Sequence, residues 1–263
     1  FRQRAFQFKT LVDPIASYQF KELASSPAVP IVAGKPIRAV CLAPSQMPTG
    51  APFSFFLRIE DRWGNPTGEP ERFEHPGFGE PGVYTLTGVS EATGLTAVSN
   101  PISVVSSKPS DSQTQRRSFN HYWADFHGQS EETVGTGTIE DYFRFGRDYA
   151  FLDICAHQGN DFQIDDVFWE TIVSTTDRFN EPGRFVAFAG YEWSGNTPLG
   201  GDRNVLYAGQ GGGISRSSRE LIPDNHSLYT DSPTAEHLFT TLRKDADDSL
   251  PFVFAHVGGR YAD

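Results

Sequence analysis

No part of this 263-residue chain constrains its folding more than Ser106 to Phe119, which reads SSKPSDSQTQRRSF. The stretch is polar, carries a Pro and holds almost nothing to bury, so it reads as a linker rather than part of a core. Whatever folds must therefore fold on either side of it. The chain is long enough for two ordinary cores, and the expected division is residues 1–105, a linker over 106–119, and residues 120–263.

The two sides carry different periodicities. From about Ile31 to Val105 apolar residues alternate: Phe53, Phe55, Leu57 and Ile59 fall on one face, with Ser54, Arg58 and Glu60 on the other, as in a half-buried strand. Asp61 to Pro66 (DRWGNP) supplies turn chemistry, and Val83 to Val89 and Ile102 to Val105 repeat the strand signal after Gly or Pro. An all-β sandwich is expected. Beyond Asn120, strand-like apolar runs alternate with helical patterns, which argues for βα units around a parallel sheet or barrel. Thr138 to Asp141 (TIED) resembles a capping box opening a helix with Ile139, Tyr142, Phe143 and Gly146 on one face. Ser232 with Pro233 reads as an N-cap followed by Pro at the first helical position.

Composition excludes several classes. The net charge is −11 and no run of Lys or Arg is interleaved with aromatics, so the footprint of a nucleic-acid binder is missing. Cys41 and Cys155 are the only cysteines and form no CxxC spacing, so neither a disulfide framework nor a thiolate zinc site is inferred. No stretch approaches 18 apolar residues, so no membrane span is expected. The expected location is cytoplasmic, with a removed signal peptide left open because the chain opens at Phe1.

Four apolar runs end in a potential metal ligand: Trp123 to Phe126 leads to His127, Phe151 to Ala156 to His157, Phe185 to Tyr191 to Glu192, and Phe252 to Ala255 to His256. One His near a strand end is ordinarily a hydrogen-bonded structural residue. Three of the seven His together with a Glu, all in equivalent places, form a pattern, because in parallel α/β folds the C-terminal strand ends face one pocket. Neutral imidazole and carboxylate donors suit zinc, manganese or iron, and such an ion activates water and polarises an ester oxygen. Gly135 to Thr138 (GTGT) could cradle an anion at a helix start, though a plain N-cap loop is the preferred reading. The run Gly209 to Gly213 lacks the Lys of a nucleotide-binding loop, and Trp193 to Gly195 lacks the first Gly of a nucleophile elbow.

These residues resemble a known family. Trp123 to Ser130 (WADFHGQS) looks like the first motif of the polymerase-and-histidinol-phosphatase (PHP) domains, with Gln129 in place of a second His. Ala156-His157 resembles the family's Asp-His motif with Ala for Asp, Gly190 to Glu192 its Gly-x-Glu motif, and Ala255-His256 its later His motif. With GTGT, HQGND and GGDRNV between them, the order resembles the family called domain of unknown function 3604, which joins a β-domain to a PHP-like metal domain. The resemblance implies a sandwich followed by a distorted (β/α) barrel. Such a barrel takes ~250 residues, whereas Asn120 to Asp263 is 144. The barrel is therefore expected to be incomplete in this chain, and the natural protein to continue and supply further His and Asp ligands.

The resemblance implies one or two divalent ions held by His127, Gln129, His157, Glu192, Asp202 and His256. Asp125, two residues before His127, could ligate, or orient that imidazole as a neighbouring carboxylate, the favoured role. Glu131, Glu132 and Asp161 could complete the shell. Arg203 and Arg260 are expected to clamp the developing oxyanion, Arg being suited to phosphate. His75 is expected to be structural and His237 to lie on a helix surface, while His121 and His226 have weaker claims as ligands. The expected activity is hydrolysis of a small-molecule phosphate mono- or diester by metal-activated water. The alternatives are a carboxylic or sulfate ester hydrolase and a non-catalytic metal-holding module.

Overall fold

The computed structural model of the protein describes residues 5–106, 120–195, 201–209, 212–219, 221–222, 232–244 and 246–256. The chain divides into two compact units, Phe1–Arg117 and Ser118–Asp263. The expected linker, apart from Ser106, lies outside the described residues. Regular structure is mostly strand, with few helices.

The first unit opens with two small antiparallel pairs, β1 (Ala5–Gln7) with β4 (Ala28–Pro30), and β2 (Leu11–Val12) with β3 (Lys21–Glu22). Then follow β5 (Arg38–Leu42), β6 (Gln46–Pro48), β7 (Phe53–Glu60), β8 (Glu71–His75), β9 (Gly82–Tyr84), β10 (Thr87–Val89), β11 (Thr96–Val98) and β12 (Ile102–Val105). β5, β7 and β8 form one antiparallel sheet, and β12 lies between β6 and β9 in another. Phe53 of the first sheet packs with Met47, Ile102 and Val104 of the second, so the two sheets share a core. The apolar side of β7 carries over, with Phe53, Leu57 and Ile59 buried and Phe55 stacked on Phe73. On the other side Glu60 departs from the expected alternation, being buried where it pairs with Arg38 and Arg58. The turn after β7 is held by the Asp61 carboxylate, which accepts the Trp63, Asn65 and Gly34 backbone N–H groups. His75 is structural: its Nδ1 accepts the Gly77 N–H, and its ring packs against Phe53 and Phe78.

The second unit is a five-stranded sheet in sequence order, β13 (Ala124–Gly128), β14 (Ile154–His157), β15 (Val186–Trp193), β16 (Arg203–Tyr207) and β17 (Pro251–Ala255). β13, β14 and β15 are parallel and joined through helices. The first crossover uses α1 (Ile139–Arg144), which runs on into a wider π turn over Phe145–Tyr149; the second uses α2 (Asp166–Phe179). The capping box forms as the sequence suggests, Thr138 Oγ1 accepting the Asp141 N–H while the Asp141 carboxylate accepts the Thr138 N–H.

Two expectations need correction. The sheet is mixed, because β16 runs antiparallel to both β15 and β17, so β17 again runs parallel to β15. Only nine residues separate Trp193 from Arg203, too few for the crossover a parallel neighbour requires. Among the described residues the sheet stays open rather than closing into a barrel. Ser232 and Pro233 precede rather than open α3 (Ala235–Lys244); Thr234 Oγ1 accepts the His237 N–H in the capping position, and the buried Ser232 offers its carbonyl to Trp193 Nε1. The short α4 (Ala246–Ser249) leads into β17.

Strand alternation then divides the sheet. Cys155, Ala187, Tyr191, Trp193, Val205 and Tyr207 join a core with Phe143 of α1, Ile172 of α2 and Leu238 of α3. The opposite face carries Phe188, Glu192, Asn204 and Phe254, with Phe126 against Phe188 and Phe254. Among the described residues no helix is long and apolar enough to cross a membrane.

Candidate metal centre

The C-terminal ends of three parallel strands meet beside the face that carries Glu192 and Asn204. β13 brings His127, β15 brings Glu192, and His256 follows directly on β17. One ligand atom from each lies within 4.8 Å of the others. Glu192 Oε1 is 3.0 Å from His256 Nδ1 and Glu192 Oε2 is 3.7 Å from His127 Nε2. The two imidazoles stack with centroids 4.0 Å apart. Glu192 is 4% exposed, and burial raises its carboxyl pKa against the pull of His127 and His256. Its place is set from both sides: its backbone N–H donates to the Gly159 carbonyl, and Asn160 Nδ2 donates to Oε2 at 3.0 Å.

Two imidazoles and one sheltered carboxylate form a three-donor set of the kind that zinc, manganese or iron accepts while leaving further positions open. The residues present therefore fit a divalent ion, and the described residues hold one such group.

His157 does not join it. The ring is fully buried, with Phe168 of α2 set edge-on to it. The Gly159 N–H donates to Nδ1, so Nε2 carries the hydrogen and donates to Ser130 Oγ at 2.9 Å. Both nitrogens are thus occupied within the protein, and the physical reason is parity. His157 shares a strand face with the core residue Cys155, under the helices rather than beside Glu192.

The remaining expected residues fall around the trio in different ways. Gln129 Nε2 is 3.4 Å from Glu192 Oε2, but its oxygen, the atom able to ligate, accepts from Thr133 Oγ1 at 2.6 Å. Asp125 does not orient the His127 ring; its carboxylate accepts the His127 backbone N–H instead. Asp202 lies at the edge, Oδ2 3.9 Å from His256 Nδ1, and its carbonyl accepts the His256 N–H. Arg203 sits opposite Trp193 and Ala255 in register, on the face away from Asn204, and its guanidinium donates to the Asp202 carbonyl. Arg260 and His226 lie outside the described residues. Glu131 and Glu132 are exposed, as are His121 and His237. Asp161 is buried apart from the trio, accepting from Ser194 and Ser217.

Two amides at the site have no counterpart in the sequence reading. Asn204 Oδ1 lies 2.9 Å from His127 Nδ1, and Asn160 holds Glu192. Both stand inside the quoted HQGND and GGDRNV segments. What exposes Asn204 is its register opposite Glu192, which requires knowing that β16 is antiparallel.

Among known proteins, an uncharacterized protein of Chlamydia pneumoniae is 26% identical over 281 residues, covering 93% of this chain and 41% of the relative. Uncharacterized proteins of Chlamydia trachomatis and Chlamydia muridarum are 28% and 29% identical, each covering 78% of this chain and 36% of the relative. The chain thus spans about two fifths of the length of the curated relatives it matches. No solved structure matches it. The family described as "Protein of unknown function (DUF3604)" matches residues 98–257, more than half of the chain and all three members of the trio, and the chain belongs to that family.

Proposed function

We propose that the second unit is the metal-holding part of a PHP-like hydrolase acting on phosphate mono- or diesters. The observation that carries the reading is the convergence of His127, Glu192 and His256 at the ends of three parallel strands. His127 Nε2, the Glu192 carboxylate and His256 Nδ1 would hold the ion. A divalent ion bound there would supply Lewis acidity toward a phosphoryl oxygen and would lower the pKa of a coordinated water toward ~7. The chain's own residues provide the setting. Glu192 contributes the negative charge that retains a cation, Asn160 fixes one of its oxygens, and Asp202 stands near His256 at the open edge. The half-exposed Phe252 and Phe254 give the same sheet face an apolar character.

Loading the purified protein with Zn²⁺ or Mn²⁺ and assaying chromogenic phosphate, sulfate and acyl esters tests the proposal. Glu192→Gln keeps the shape and removes the charge, so metal content and phosphate-ester hydrolysis should fall together. His237→Ala, on the exposed side of α3, should change neither. Full metal retention in Glu192→Gln would sink the reading. Bound metal with silence toward every ester would leave a metal-holding module in place of an enzyme.

A further inference from the structure

We propose that Asn204 is the positioning residue of this centre: its side-chain oxygen holds His127 in the Nδ1–H tautomer and so presents Nε2 as the ligand nitrogen. The inference rests on the metal-centre reading above. An amide oxygen can only accept, so at 2.9 Å from Asn204 Oδ1 the His127 Nδ1 must carry the hydrogen. The lone pair is then on Nε2, the nitrogen that faces Glu192 Oε2 at 3.7 Å. Which imidazole nitrogen binds a metal is decided by the bond the other one makes. Without that acceptor the ring is free to place its hydrogen on Nε2 and donate it to Glu192, filling the ligand position with a proton.

The fold fits Asn204 for the task. It is 3% exposed, and its register opposite Glu192 sends both side chains to one face. Because β16 runs antiparallel, its first residues reach the edge where β13, β15 and β17 end. Asp125, the nearer carboxylate in sequence, is engaged by the His127 backbone N–H and does not supply this contact.

The test begins with the metal-free full chain at about pH 8, above the ordinary imidazole range, using long-range proton–nitrogen correlation of the His127 ring assigned by its loss in His127→Gln. The expected result is Nδ1–H with an unprotonated Nε2. Asn204→Leu, similar in size and without an acceptor, should shift the ring toward Nε2–H and weaken Zn²⁺ binding about 10–100-fold. Asn204→Asp, which keeps an acceptor, should restore both. A wild-type ring in the Nε2–H tautomer overturns the proposal, as does Asn204→Leu with wild-type tautomer and affinity. Should Asn204→Leu fail to fold, the wild-type tautomer together with Asn204→Asp decides. Absence of Zn²⁺ binding by the wild type would instead refute the metal-centre reading, an outcome distinct from either.

Discussion

Acid should act on the second unit through one buried imidazole whose effect is masked by a buried carboxyl. His157 is fully buried with both ring nitrogens in use, so a second ring hydrogen would meet the Gly159 N–H, and burial pushes its pKa down from 6.5 to about 3. Between those values the unfolded chain binds a proton that the folded chain refuses. Its contribution is therefore complete above pH 6.5 and lost as pH falls toward 3, at about 1.4 kcal/mol per pH unit. Asp161 has the opposite sign. Burial, outweighing hydrogen bonds from Ser217 and Ser194, raises it from 3.8 to about 6, so the folded chain takes up this proton first and gains stability on acidification. From pH ~6 to ~4 the two slopes nearly cancel, and the wild type hides both. Relative to wild type, His157→Gln should gain about 2.7 kcal/mol over that interval and Asp161→Asn should lose about as much. Urea unfolding at a series of pH values in chelator, in a Trp63→Phe background that leaves Trp123, Trp169 and Trp193 of the second unit as reporters, measures both. Parallel profiles for wild type and His157→Gln would refute the reasoning, since the ring would then titrate alike in folded and unfolded chains.

Further outcomes follow from packing. Phe143 is fully buried and stacked on Phe179 at 5.6 Å, so Phe143→Ala should cost about 3–5 kcal/mol in urea unfolding of the second unit. Thr138→Ala removes one half of the capping box and should cost about 1 kcal/mol by the same assay. At Gly128 an added Cβ would overlap the Tyr142 ring, whose hydroxyl donates to the Asp125 and Ala156 carbonyls and so ties β13 to β14. Gly128→Ala should therefore lower the melting temperature and, because His127 is the preceding residue, weaken Zn²⁺ binding in titration calorimetry.

Features that depend on neighbours in sequence were legible without the fold. The alternation of Phe53 to Ile59, the capping box at Thr138 and Asp141, and the placing of His127, Glu192 and His256 at the ends of apolar runs are all local patterns. Tertiary structure decided which strand-end residues share a site. His157 closes an apolar run as His127 does, yet it falls on the core side, where Phe168 and Ser130 enclose it. At β13 the ladder to β14 shifts register between Asp125 and Gly128, and a one-residue slip exchanges the faces of the residues that follow. Asn204 likewise became visible only when the nine-residue connection after Trp193 turned β16 antiparallel and set it opposite Glu192. Sequence spacing places a residue along its strand; which face it takes and which strand lies beside it are set by pairing between segments far apart in the chain, because that pairing is where the backbone hydrogen bonds and the buried apolar surface are satisfied together.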